Sequence, residues 1–142
     1  MSTPLLRLTP EVEPDEATVR AVEAGLNRYN ESIAPGGDWE PLWIVGRDLD
    51  GGVRAGLRGL TGYSWLFVSW FWVAEPYRRR GVGSQLLLGA EAIARDRGCA
   101  HVYVDTFSFQ APDFYKRHGY AEFGRLEEFP PGHSRIWLAK RL

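Results

Sequence analysis

The segment Trp65 to Val73, with the sequence WLFVSWFWV, constrains the fold more than any other part of this 142-residue chain. Its side chains are apolar on both faces, and its aromatic and β-branched residues favour extended structure. Such a run is typical of the central strand of a sheet. It is too short to cross a membrane as a helix, which requires about 20 apolar residues. The sequence therefore predicts a globular domain built around this strand.

Apolar periodicity and turn residues divide the rest of the chain into strands and helices. Asp50-Gly51, between two apolar runs, predicts a hairpin. We expect helices over residues 15–33, 84–97 and 112–118, and strands over residues 5–8, 42–47, 53–60, 65–73, 101–106, 121–126 and 134–140. These elements predict a single domain over residues 1–142, of the α/β (α+β) class, in which a mixed sheet of about seven strands carries helices on both faces.

The charge and the cysteine content argue against several classes of partner and site. With 17 Lys and Arg against 18 Asp and Glu, the net charge of −1 provides no field that would attract nucleic acid. Cys99 cannot form an internal disulfide, and with only three histidines beside it no spacing matches a structural zinc site. The start, MSTPLLRLTP, lacks a cationic region followed by a long apolar one. We expect a cytoplasmic protein, monomeric or homodimeric, without a metal ion and without nucleic-acid or membrane partners.

A glycine-rich turn, with the sequence RRRGVGS, lies between the central strand and the second predicted helix. A turn that opens a helix exposes backbone N–H groups and the positive end of the helix dipole. Gly81 and Gly83 would let phosphate oxygens approach the main chain, and the arginines add positive charge. The pattern lacks the third glycine of the dinucleotide fingerprint and the Gly-Lys-Ser/Thr ending of a P-loop. A phosphate site and a plain surface turn are both compatible with this pattern alone.

The longer segment Val73 to Leu87, VAEPYRRRGVGSQLL, resembles motif A of the GNAT superfamily of acyl-CoA N-acyltransferases. Arg78, Gly81 and Gly83 occupy the three places of its signature, Q/R-x-x-G-x-G/A. The resemblance implies a GNAT-type fold, in which the sheet is mostly antiparallel and contains a splayed central pair of parallel strands.

The same resemblance implies acetyl-CoA as the co-substrate and assigns residues to coenzyme A. The backbone of the turn would hold the pyrophosphate, and the end of the central strand would pair with the pantetheine arm as an added strand does. The residues so implied are Phe71, Trp72, Val73, Arg78, Arg79, Arg80, Gly81, Val82, Gly83 and Ser84.

A second segment, Ser108 to Tyr120, SFQAPDFYKRHGY, resembles motif B of the same family, N-x-x-A-x-x-[FL]-Y-x-x-x-G-F. Ala111, Tyr115 and Gly119 match the motif, whereas Ser108 stands where the family often has Asn. The resemblance implies that Ser108 and Ala111 contact coenzyme A. Two motifs in this order are more specific than either motif alone.

Tyr115 is the candidate catalytic residue. Acyl transfer from a thioester requires attack by an amine, stabilisation of the charged oxygen and protonation of the departing thiolate. A phenol has a reference pKa of about 10 and keeps its proton at neutral pH, and the family assigns protonation of the thiolate to this tyrosine. The leading interpretation is an N-acetyltransferase that moves an acetyl group to a primary amine by direct attack in a ternary complex. The alternative is a non-catalytic acyl-CoA-binding or regulatory module, in which Tyr115 is a packed core aromatic.

The group that deprotonates the amine is missing from its usual place. Several relatives carry a glutamate on the central strand, but Trp65 to Val73 contains no titratable side chain. Two substitutes remain, which are Asp105 on the next strand and a chain of water molecules. A strand-end aspartate also bonds readily to nearby main chain, so a structural role for Asp105 is a third possibility.

The acceptor site is expected between the loop after the first helix and the far end of the split sheet. Glu31, Asp38, Trp39 and Trp43 belong to that region. Acidic and aromatic side chains would suit a cationic amine, of a small molecule or a peptide, through ion pairing and cation–π contact. These residues favour such an acceptor unless Trp39 and Trp43 instead cap the core.

Overall fold

Helix α1 (Glu16–Ile33) lies in the first of two units into which the chain divides, one up to Gly37 and one from Asp38 onward. The computed structural model describes Ser2 and residues 5–142. Asp15 begins α1 because its carboxylate accepts a hydrogen bond from the Thr18 N–H at 2.8 Å, which satisfies one of the free donors of the first turn. This hydrogen bond also lowers the pKa of Asp15. The first unit therefore contains a capped helix at the position that the sequence predicts.

The second unit is built on one sheet. Its strands are β1 (Glu40–Arg47), β2 (Val53–Gly62), β3 (Trp65–Val73), β4 (His101–Phe107), β5 (Ala121–Glu127) and β6 (Ser134–Arg141), connected in part by a 3₁₀ turn (Glu75–Tyr77), helix α2 (Val82–Asp96) and helix α3 (Pro112–Arg117). The spatial order is β1-β2-β3-β4-β6-β5. Neighbouring strands are antiparallel except for the parallel pair β3 and β4. The predicted α/β class, the mixed sheet and its central parallel pair are confirmed.

The predicted strand over residues 5–8 is wrong, and the sheet has six strands rather than about seven. Leu5 and Leu8 are exposed, and no ladder among the described residues includes this segment. An apolar run becomes a strand only where a neighbouring strand completes its backbone hydrogen bonds. The local pattern shows the apolar residues but not the missing neighbour, which explains the error.

The hydrophobic core of the second unit lies between the sheet and α2. Side chains without exposed surface come from five elements: Leu57 on β2, Leu66 on β3, Leu87 on α2, Val102 on β4 and Leu138 on β6. Burying one leucine contributes about 1.5–3 kcal/mol. Phe71 near the end of β3 and Val82 at the start of α2 also pack against this core. The core therefore holds both elements that flank the glycine-rich turn.

Strands β3 and β4 separate in the middle of the sheet. Residues 65–68 pair with residues 101–104, and the ladder ends there. Just beyond this point β3 has a β-bulge at Ser69, because Val68 and Trp70 pair with consecutive residues of β2 and Ser69 has no partner in that ladder. Its hydroxyl donates to the Arg58 carbonyl oxygen at 3.1 Å and accepts from the Arg58 guanidinium at 3.0 Å. The rest of β3 therefore has a free edge on the side of β4.

None of the helices in the described part of the chain is long and apolar enough to span a membrane.

Candidate active site

A cleft of about 610 Å³ lies between the end of β3, the glycine-rich turn and α3. It is lined by Phe71, Trp72, Val73, Arg78, Arg79, Gly81, Gly83, Ser84, Gln110, Ala111, Phe114, Tyr115 and Arg117. Aromatic side chains, glycines and arginines thus share one space. Such a lining suits a ligand that has both an apolar arm and an anionic group.

The glycine-rich turn is shaped for an anion at the start of α2. Gly81 has a φ of +82°, a left-handed conformation that costs a residue with a Cβ about 1 kcal/mol. Gln85 donates the first helical hydrogen bond of α2, to the Gly81 carbonyl oxygen at 3.0 Å. The N–H groups of the preceding turn point out of the helix start without intrahelical partners. Together with the helix dipole, they favour a phosphate group at this place.

Gly83 lies where the turn approaches α3. A Cβ at this position would be 3.5 Å from the ring of Phe114 and 3.8 Å from the ring of Phe71. These are ordinary contact distances, so a methyl group fits, but a larger side chain would extend into the cleft. The missing side chain of Gly83 therefore keeps the cleft open beside the first turn of α2.

Tyr115 brings a phenol to this cleft. The residue is 5% exposed, and its ring packs edge-on against Phe71, Phe114 and Tyr120, with ring centres 6.2, 5.3 and 5.6 Å away. Within residues 5–142 the Tyr115 hydroxyl has no hydrogen-bond partner. Every fully buried polar side-chain atom in these residues does have one, so the Tyr115 hydroxyl is not fully buried and is accessible from the cleft. Burial and the charge of Asp105 raise the pKa of Tyr115. The phenol therefore holds its proton at neutral pH.

Asp105, near the end of β4, forms an ion pair with Arg135 of β6. Its Oδ1 accepts a hydrogen bond from Arg135 Nε at 2.9 Å, and Arg135 Nη2 lies 2.7 Å from the same oxygen. The guanidinium carbon lies 5.1–5.6 Å from the ring centres of Phe107, Phe129 and Trp137, within the range of cation–π contact. Asp105 is thus held by a charged partner and does not line the cleft.

Comparison with known proteins gives one family. The sequence profile described as the acetyltransferase (GNAT) family matches residues 9–120. The chain belongs to this family. An acetyltransferase of Agrobacterium fabrum is 36% identical over 127 residues, which cover 89% of this chain and 93% of that protein. The blasticidin-S acetyltransferase of Streptomyces morookaense is 41% identical over 93 residues, which cover 65% of this chain and 68% of that protein.

A solved structure agrees with this membership. The crystal structure of an acetyltransferase from Bacillus cereus superimposes with a TM-score of 0.85 and is 35% identical. The match covers 94% of this chain and 98% of that one. The GNAT resemblance carried by the two motifs is therefore confirmed.

Most of the residues that motif A implies for coenzyme A line the cleft of this GNAT protein, but Arg80 and Val82 do not. From motif B, Ala111 lines it and Ser108 does not. The Ser108 N–H donates to the Ser134 carbonyl oxygen at 2.8 Å, and its hydroxyl accepts from the Ser134 N–H at 3.0 Å. The side chain of Ser108 is thus used to join the β4–α3 loop to β6.

Three residues of the cleft are not among the predicted site residues, namely Gln110, Phe114, which matches motif B, and Arg117. All three lie within or beside the motif B segment, so their proximity to Tyr115 along the chain was the available signal. A hydrogen bond holds the side chain of Gln110 in position, because Gln110 Oε1 accepts from the Phe107 N–H at 2.9 Å.

The four predicted acceptor residues are divided between the two units. Glu31 lies on α1 in the first unit, and Asp38, Trp39 and Trp43 lie in the second. The ring of Trp39 packs edge-on against Tyr63 and lines an apolar hollow of about 380 Å³. The ring of Trp43 instead packs edge-on against Trp70 at 5.7 Å, and the Arg58 guanidinium lies over both tryptophans. Their role in binding an acceptor stays a prediction.

The described residues contain no group of three or more His, Cys, Asp and Glu side chains that could hold a metal ion.

Proposed function

We propose that this chain is an N-acetyltransferase that transfers the acetyl group of acetyl-CoA to a primary amine by direct attack in a ternary complex. The observation that carries the proposal is that one cleft contains both a helix start at Gly83 that suits an anion and the phenol of Tyr115, which keeps its proton at neutral pH. The family profile runs through residues 9–120, which supports one acetyltransferase domain over residues 1–142. We also propose a cytoplasmic monomer or homodimer that uses no metal ion and binds neither nucleic acid nor membranes.

The lining of the cleft fits coenzyme A. The N–H groups at the start of α2, together with Arg79 and Arg117, supply the positive potential that linked phosphate groups require. The edge of β3 is free on the side of β4, so the N–H and C=O groups of Phe71 or Trp72 that point to that side are available to pair with the amides of an extended arm. The Val73 carbonyl oxygen already accepts a hydrogen bond from Arg78 Nε at 2.8 Å, which ties the turn to β3.

Tyr115 would supply the proton that the leaving group needs. As the amine nitrogen bonds to the acetyl carbon, the carbon–sulfur bond breaks and the thiolate takes the phenolic proton. A backbone N–H of Phe71 or Trp72 on the free edge of β3 would stabilise the charge on the acetyl oxygen. A cationic amine releases two protons to solvent, one before it attacks and one as the amide forms, and the phenolate regains one from solvent, so that one proton is released in each turnover.

We propose water, rather than Asp105, as the acceptor of the amine proton. Asp105 already accepts a hydrogen bond from Arg135, forms an ion pair with it and lies outside the cleft lining, so the structural role of this aspartate is the better supported one. Direct base catalysis by Asp105 remains the alternative that a pH profile decides.

A non-catalytic acyl-CoA-binding or regulatory module is the second candidate. The absence of a carboxylate from β3 favours it, because β3 contains no titratable side chain. Binding alone, however, does not require an accessible phenol without a hydrogen-bond partner, and Tyr115 provides one. This difference is the reason for preferring the enzyme.

For the acceptor, we propose a cationic small-molecule amine, with a peptide amine as the second class. The name of the Streptomyces relative, a blasticidin-S acetyltransferase, supports a small molecule. The residues predicted to bind such a cation are all exposed and acidic or aromatic, namely Glu31 in the first unit and Asp38, Trp39 and Trp43 in the second.

An acceptor screen tests the function. The purified chain is incubated with acetyl-CoA and a panel of amines that includes blasticidin S, simple polyamines and peptide N-termini, while free thiol is followed. Thiol release that requires both substrates, with an N-acetylated product in the mass spectrum, is the expected result. Binding of coenzyme A without turnover of any amine would instead favour the non-catalytic module.

A further inference from the structure

A carboxylate is buried inside the second unit, away from the cleft. Glu91 on α2 has no exposed surface. Its two oxygens accept hydrogen bonds from Lys140 Nζ at 2.8 and 3.0 Å, and Oε2 also accepts from the Tyr120 hydroxyl at 2.8 Å. Arg95 lies 3.7 Å from Oε1. Burying a charge is costly even when it is paired, so this network is weak evidence for a gain in stability.

The network is connected to the catalytic candidate through α3. Lys140 Nζ donates a further hydrogen bond, at 3.0 Å, to the carbonyl oxygen of His118, which follows α3 directly. The Tyr120 N–H donates to the Tyr115 carbonyl oxygen at 3.0 Å, and the Tyr120 ring packs edge-on against the Tyr115 ring at 5.6 Å. The two residues that donate hydrogen bonds to Glu91 therefore also contact the region of the phenol. Tyr120 bonds to the backbone of Tyr115, and Lys140 bonds to the residue that follows α3.

Helix α3 needs such support. It has 6 residues, and an isolated helix of that length is not stable in water. The turn that follows it packs closely on the same lysine, because a Cβ at Gly119 would be 3.3 Å from Lys140 Cδ. The position of α3 therefore depends on contacts outside the helix, among them those with Lys140 and Tyr120.

We propose that Glu91, Lys140 and Tyr120 are positioning residues that hold the Tyr115 hydroxyl toward the reacting thioester. None of the three lines the cleft, so none is expected to contact a substrate. This inference rests on the proposed function, in which Tyr115 protonates the leaving thiolate. It adds that the rate depends on how the phenol is aimed, because small displacements of a reacting group reduce the rate strongly.

A double-mutant cycle between Tyr120→Phe and Tyr115→Phe tests the inference. Tyr120→Phe removes one oxygen and keeps the ring, and Glu91 keeps Lys140 as its partner. In the presence of Tyr115 we expect kcat to fall about tenfold with the KM for acetyl-CoA nearly unchanged. In the Tyr115→Phe background there is no hydroxyl to aim, so adding Tyr120→Phe should leave kcat almost unchanged. Glu91→Gln, which keeps the shape and removes the charge, should give the same pattern.

Thr61→Val is the matched control. It also removes a buried hydroxyl that donates a hydrogen bond, to the Glu40 carbonyl oxygen at 3.3 Å, and this hydroxyl, which accepts from Arg97 at 3.1 Å, lies away from α3. It should lower the melting temperature without changing kcat. Equal losses from Tyr120→Phe in both backgrounds, or no loss in either, would overturn the positioning role while leaving Tyr115 catalytic. If Tyr115→Phe alone keeps the full kcat, the proposed role of Tyr115 fails, and the inference fails with it.

Discussion

At the scale of single residues, the environment of Tyr115 decides which form of the phenol is present. Burial and the nearby Asp105 carboxylate both disfavour the phenolate, so the side chain can give a proton but is not a base at neutral pH. We expect Tyr115→Phe to lower kcat by about 10²–10⁴-fold, the usual range for general acid catalysis. The Kd for acetyl-CoA should change little, because the phenylalanine ring retains the contacts with Phe71 and Phe114. Steady-state kinetics and calorimetric titration measure the two quantities.

Two controls make this prediction specific. The variant should keep a cooperative thermal transition and should bind coenzyme A, since only one accessible oxygen is removed. Wild-type turnover at saturating concentrations of both substrates would contradict the role of Tyr115 as the acid.

Asp105 provides a second prediction at this scale. Asp105→Asn removes the charge that faces Arg135, and we expect a loss of about 1–2 kcal/mol in the free energy of unfolding, since the pair is partly exposed. If water accepts the amine proton, the pH profile of kcat/KM should keep the wild-type shape, with a modest change of scale. A large loss at neutral pH that alkaline pH restores, in a folded variant, would instead identify Asp105 as the base.

At the scale of elements, the turn before α2 is predicted to bind the pyrophosphate. Gly83→Val places a branched side chain between the turn and the Phe114 ring. In the wild type, coenzyme A at a hundredfold excess over its Kd should raise the free energy of unfolding by about 2.7 kcal/mol. We expect the Gly83→Val variant to lose most of this stabilisation, as measured by the shift of the melting temperature.

Gly124→Val is the matched control for Gly83→Val. It makes the same substitution on β5, where the new Cβ would be 4.0 Å from Trp137 and where the backbone conformation accepts a side chain. Its stabilisation by coenzyme A should equal that of the wild type. An undiminished shift in the Gly83→Val variant would show that the pyrophosphate does not bind at this turn.

Most elements could be predicted because their signals are local. Asp50-Gly51 predicts the β1–β2 hairpin, and Gly98, with a φ of +84°, follows the end of α2 as the sequence indicates. The segment over residues 5–8 has an equally local apolar signal, but a strand also depends on a partner elsewhere in the chain. Local pattern therefore predicts helices and hairpins well and predicts isolated strands poorly.

Only the parts of the candidate site that lie within the two motif segments could be predicted from the sequence. The turn and Tyr115 lie within two short segments whose residue types have a chemical reason. The ion pair between Asp105 and Arg135 was not foreseen, because it depends on the register of β4 against β6, which pairs Phe107 with Arg135 and Asp105 with Trp137. The Glu91 network likewise joins α2, β6 and the end of α3, which are distant in the sequence. Spacing along one segment does not reveal such contacts.

At the scale of the whole molecule, two buried phenols link stability to pH. Burial raises the pKa of Tyr115 and of Tyr120, and the neighbouring carboxylates Asp105 and Glu91 raise them further. Below a pH of about 10 the folded and unfolded chains both keep these protons, so the contribution to stability is complete. Above it, the unfolded chain releases protons that the folded chain retains. The free energy of unfolding must therefore fall as the pH rises, by up to about 1.4 kcal/mol per pH unit for each phenol.

Urea unfolding between pH 8 and pH 11 measures this dependence. We expect the unfolding midpoint to decline above a pH of about 10, and the decline to become shallower in Tyr115→Phe and in Tyr120→Phe, because each variant removes one phenol whose proton is held more tightly in the folded state. Tyr29→Phe is the matched control, since it removes a phenol that is 65% exposed. A midpoint that is flat over this range, or an equal effect of all three variants, would show that the two buried phenols do not retain their protons. The same burial that keeps Tyr115 protonated for catalysis would thus limit the stability of the protein at alkaline pH.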